Sequence, residues 1–112
     1  MTEAEKRFHQ IGASIEGASP GNMFGWQCYK LARKPFLFFD KNSEAALVCK
    51  LGKADISDAF NLSGTEIFNP GDKGKPMRNW VVIADAHKKR WKEFALLAYE
   101  QVLKEIADGR SK

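Results

Sequence analysis

Three short apolar runs crowd into the stretch 22–51, and no other feature restricts the fold as much. The runs are residues 23–31, 35–39 and 45–51, separated by Ala32-Arg33-Lys34 and by Asp40-Lys41-Asn42-Ser43-Glu44. Aromatic enrichment and brevity favour strands over helices, and spacers this short favour antiparallel hairpins, so the stretch predicts a β-meander. Alternation along the first strand places Phe24, Trp26 and Cys28 on one face and Met23, Gly25, Gln27 and Tyr29 on the other, with the first set expected to face the core. The second strand, Phe36-Leu37-Phe38-Phe39, is apolar on both faces. A sheet with one wet side does not explain it, so its second face needs a cover. Either another segment or another copy of the chain provides one, and a homodimer is the more economical expectation.

Helical patterns flank the meander. Thr2-Glu3-Ala4-Glu5 matches a capping box, and Ala4, Phe8, Ile11 and Ile15 follow as one apolar stripe that ends near Glu16-Gly17. Ser19-Pro20-Gly21-Asn22 reads as a link into the first strand. Beyond Gly52 the period changes, and a short helix opened by Lys53 or Asp55 is expected to bury Ile56, Ala59 and Phe60 before Ser63-Gly64 stops it. Residues 66–69 and 79–84 read as strands around a Pro/Gly loop at 70–76. Asp85 then caps a final helix of about twenty residues, closed by Gly109, whose stripe is Trp91, Phe94, Ala95, Ala98, Tyr99, Val102 and Ile106. The expected class is therefore α+β: about five antiparallel strands packed with N-terminal and C-terminal helices in a single domain, 1–112.

At 112 residues the chain is long enough to build a core without a disulfide or metal. No apolar run approaches the ~20 residues of a membrane span, and the first residues lack the order of a signal peptide, so a cytoplasmic protein with no membrane partner is expected. Cys28 and Cys49 both fall inside apolar strands and read as buried thiols. Of the net charge of +4, residues 31–53 carry +3. Such an excess suits an acidic partner, nucleic acid included, and suits an ordinary solvated surface as well.

Catalytic patterns are missing. His9 and His87 have no companion at metal-ligand spacing, and are expected to be solvated or to cap helices. The aspartates fall in turns and caps, and Gly71-Asp72-Lys73-Gly74-Lys75 lacks the spacing of a phosphate-binding P-loop. Neither catalysis nor a cofactor is expected. The residues with a use left over are cations in predicted loops: Arg33 and Lys34 at one hairpin, with Lys73, Lys75 and Arg78 around the Pro/Gly loop. They form the candidate contact set for nucleic acid or a protein partner. Five such contacts to duplex DNA predict a log K against log salt slope of about −4 to −5.

Several local motifs carry a resemblance across nearly the whole chain. They are Met23-Phe24-Gly25 entering the first strand, Tyr29 near its end, the aromatic second strand, residues 47–50, Lys73-Gly74-Lys75-Pro76-Met77, and the closing helix. With that order of elements the chain resembles the N-terminal domain of the TfoX/Sxy competence regulators. Asn79-Trp80-Val81 and Tyr99-Glu100-Gln101-Val102 make it similar also to the MmcQ/YjbR group. The resemblance implies an α+β fold and a small interaction or regulatory module, with nucleic-acid binding through basic loops, of the MmcQ/YjbR type, as the alternative. Trp26, Gln27 and Cys28 stand where the TfoX pattern has glycines and a small strand.

Overall fold

The structure is a computed structural model, described here for residues 2–23, 25–40, 45–68 and 77–108. Helix α1 (Glu3–Ser14) leads into strands β1 (Ser19–Met23), β2 (Trp26–Leu31), β3 (Lys34–Asp40) and β4 (Ala46–Lys50). Helix α2 (Lys53–Ala59), strands β5 (Glu66–Phe68) and β6 (Met77–Ala84), a 3-10 turn (Asp85–Arg90) and helix α3 (Trp91–Ala107) follow. The strands form one antiparallel sheet in the order β1-β2-β3-β4-β6-β5, so the expected α+β class holds with six strands. The extra strand is β1, the segment expected to be a link. Pro20 pairs with Tyr29 there, at the sheet edge, where a residue without an N–H is tolerated.

The helices cover one face of the sheet. Phe8 and Ile11 of α1 and Trp91, Phe94, Ala95, Ala98 and Val102 of α3 pack on Tyr29, Leu37, Phe39, Leu47, Cys49, Val81 and Ile83. The Thr2 hydroxyl accepts the Glu5 amide at 3.1 Å, as the capping pattern requires. Trp91 is completely buried, and its indole N–H is shared between the carbonyls of Ile83 at 3.1 Å and Ala84 at 3.2 Å, fixing α3 to the end of β6. The expected start of this helix is displaced. Asp85 makes no side-chain cap and opens the 3-10 turn instead, pairing with Lys88 at 3.7 Å. The α-helix itself begins at Trp91; Gly109 lies outside the described residues.

Both faces of the first predicted strand contribute to a core: Cys28 and the half-buried Trp26 join the smaller cluster, but the larger, helix-covered core takes the opposite face. Tyr29, not the Trp26 and Cys28 face, lies under the helices. Its ring presses so closely on α1 that a Cβ at Gly12 would overlap it, which explains a glycine inside a helix. In β3 a register shift opposite Tyr29-Lys30 inserts Phe36 as an extra residue, so Phe36 joins Leu37 and Phe39 in the helix-side core.

Phe38 alone among the four aromatic-run residues faces the other way, with Cys28, Val48, Phe68 and Trp80. Its ring lies 5.0 Å from Trp80 and 6.0 Å from Phe68, while Trp26 lies 5.1 Å from Phe68. Trp26 is on β2 and Phe68 on β5, four strand positions apart, about 19 Å across a flat sheet. Their contact therefore means that the sheet curls over its own second face. Phe68 and Trp80, from other strands of the same sheet, thus cover Phe38, which is the first of the two alternatives that the sequence left open.

A candidate interaction face at one end of the sheet

The antiparallel register decides which loops are neighbours. The β2–β3 turn leaves Leu31 and returns at Lys34, and Leu37 of β3 pairs with Cys49 of β4. The same end of β4 meets the start of β6, where Lys50 pairs with Trp80 and the Leu51 amide donates to the Asn79 carbonyl at 2.9 Å. Phe68 and Met77, which bracket the Pro/Gly segment, also pair at this end. Arg33, Lys34 and Arg78 are thus brought to one end of the sheet by topology alone. Only the backbone of Arg78 is described, and Lys73 and Lys75 lie outside the described residues. Lys53, exposed at the start of α2, is an addition that the sequence reading missed. Its signal was the charge excess of residues 31–53.

The β2–β3 turn has unusual chemistry. Ala32 and Arg33 have φ of 50° and 71°, both in the left-handed region, which is the geometry of a two-residue hairpin matched to the sheet's twist. Such turns favour Asn-Gly because a Cβ costs about 1–2 kcal/mol per residue in that conformation. Here an alanine and an arginine occupy both places, and Arg33 points its exposed side chain from the tip.

Lys34 is not equivalent to Arg33. It is half-buried, with its Nζ 3.9 Å from Glu105 Oε1 of α3. Lys50 Nζ donates to the same oxygen at 3.0 Å, and Gln101 Nε2 donates to Glu105 Oε2 at 3.1 Å. Burial pushes the Glu105 carboxyl up, but the hydrogen bonds from Gln101 and Lys50 and the charges of Lys50 and Lys34 outweigh it and hold the group below the usual carboxylate range. Gln101 is in turn backed by Gly52, where a Cβ would sit 2.9 Å from its Oε1.

A second polar group lies between α1 and β2. Glu5 Oε2 accepts from Gln27 Nε2 at 2.8 Å, which turns Gln27 Oε1 toward His9 Nε2. That nitrogen therefore carries the proton, and in the neutral ring His9 Nδ1 accepts from the Tyr29 hydroxyl at 3.1 Å. His9 is thus a half-buried network member, contrary to the solvated or capping role expected for it. The network joins the first helix to the sheet across residues 18 to 22 positions apart. His87 instead donates from Nε2 to the Ser63 carbonyl at 2.8 Å and ties the 3-10 turn to the loop before β5.

Among the described residues no group of three or more His, Cys, Asp or Glu side chains is placed to hold a metal ion. A hollow of about 100 Å³ lies between α2 and α3, and an open one of about 330 Å³ is lined by Ala45, Ala84, Asp85 and Ala86. Neither hollow includes a member of the His9 network. No helix among the described residues is long and apolar enough to cross a membrane. Comparison with family models, with curated proteins and with solved structures returns no match.

Proposed function

We infer that this chain is a non-catalytic interaction module of the TfoX N-terminal and MmcQ/YjbR kind, working in the cytoplasm and engaging nucleic-acid phosphates through the basic end of its sheet. The observation that carries this reading is the convergence of the strained Ala32-Arg33 tip with the start of β6 at that end. A left-handed conformation held by two residues with side chains is the kind of local cost found where function outweighs stability. A guanidinium there stands clear of the sheet, as phosphate contact demands. The His9 network supports the non-catalytic reading, since its hydrogen bonds are satisfied internally and anchor α1 to β2.

Binding of a labelled duplex oligonucleotide, followed by fluorescence anisotropy over a salt series, tests the reading. Lys34 is engaged by Glu105, so the slope is expected to be shallower by about 1 than the value for all five candidate cations, at about −3 to −4. A salt-independent signal, or none at low salt, rejects phosphate contact.

A further inference from the structure

Glu105 sits where it decides how many cations this face can offer. Its two carboxylate oxygens are engaged by Lys50 and Gln101, and Lys34 stands at the edge of ion-pair distance from the same oxygen as Lys50. The three charged side chains are 18% to 24% exposed, so the group is screened from solvent without being sealed from it. Gln101, one helical turn before Glu105 and backed by Gly52, orients the carboxylate toward the two lysines.

Lys34 follows Arg33 directly, and Lys50 pairs with Trp80 two residues into β6 from Arg78. Both ammonium groups therefore belong to the interaction face by position while their charge is answered by α3. We propose that Glu105 is an internal counter-ion that withholds Lys34 and Lys50 from nucleic-acid phosphates and so limits the affinity of the face, an inference that rests on the function proposed above. A phosphate entering beside Arg33 competes with a carboxylate already hydrogen-bonded to Lys50. Contact thus stays with the outer cations, and Glu105 is a positioning residue that acts through the two lysines.

The test is a cycle of variants measured by the same duplex titration over a salt series, each checked for its fold by circular dichroism and thermal melting. In Glu105→Gln both lysines become available, which steepens the slope by up to about 2 and tightens binding at least about fivefold at 0.1 M salt. Adding Lys34→Gln and Lys50→Gln to that variant returns the slope to the wild-type value. The same two lysine substitutions in the wild-type background leave the slope unchanged, and this arm decides the matter even if Glu105→Gln does not fold. A wild-type slope that flattens by about 1 to 2 on losing Lys34 and Lys50 overturns the proposal, as does a folded Glu105→Gln variant that binds like wild type. Absence of binding by every protein rejects the phosphate-binding function itself, a result distinct from either of these.

Discussion

Replacing Ala32 by Asn and Arg33 by Gly should stabilise the protein while weakening its hold on nucleic acid. Both residues have φ in the left-handed region, at 50° and 71°, where a side chain costs about 1–2 kcal/mol. The turn as it stands therefore carries about 2–4 kcal/mol of local strain. Glycine removes the Cβ clash at position 33 but returns roughly 0.5–1 kcal/mol through its freer unfolded chain. Asparagine tolerates the conformation without making it free, so it recovers only part of the cost at position 32. The expected net gain is about 1–2 kcal/mol, which for a chain of this size raises Tm by roughly 5–10 °C. Urea and thermal unfolding measure the gain; duplex titration over a salt series should show the slope flattening by about 1 as the Arg33 contact is lost. Unchanged or lower stability would refute the claim that the tip is strained. Higher stability with undiminished binding would refute the claim that Arg33 accounts for the strain being kept.

Three other outcomes follow from the packing and the charges. Gly12→Ala should destabilise by about 1–2 kcal/mol in urea unfolding, because the overlap with the buried Tyr29 ring outweighs the ~1 kcal/mol that alanine's helix propensity returns; a stabilised variant would mean that the Tyr29 ring does not lie against α1. Neither Cys28 nor Cys49 should react with a small alkylating reagent until denaturant is added, since both are buried and burial raises both thiols, with Lys30 partly offsetting the rise at Cys28; rapid labelling of both in the native protein would contradict this. The Glu105 carboxyl is held below its unfolded value near 4.5, so the stability from its pairing is complete above that pH and is lost as pH falls through the lower folded value. Urea unfolding from pH 6 down to pH 3 should therefore show a smaller acid loss in Glu105→Gln than in wild type, and identical losses would deny the linkage.

The architecture was readable where one physical rule acted alone. Thr2 and the Phe8 and Ile11 stripe gave α1, and the aromatic runs with short polar spacers gave the hairpins. It was hidden where the outcome depends on a partner distant in sequence. Pro20 and Gly21 carry a local bias against a strand, yet they form β1 because β2 offers an edge that needs no donor from Pro20. Alternation shows that Trp26 and Cys28 share a face but not that the helices lie on the other one, a choice tied to the fit of Tyr29 against Gly12. Phe60, expected inside, is 46% exposed because α2 ends at Ala59 and the chain turns away. At the interaction face, Arg33 and Lys34 were visible as adjacent cations, but only the register aligns them with the start of β6. The division of labour between them, one exposed at the tip and one held by Glu105, joins residues more than 70 positions apart.

The central claim concerns which surface makes contact, and amide shifts of the isotopically labelled protein during titration with a short duplex oligonucleotide at low salt address it directly. The account predicts that the perturbed amides cluster at residues 31–34, 50–53 and 77–79, the end of the sheet shared by the β2–β3 turn and the start of β6. Perturbations confined instead to the β1 edge, or to the outer face of α3 around Leu96 and Leu103, would contradict it.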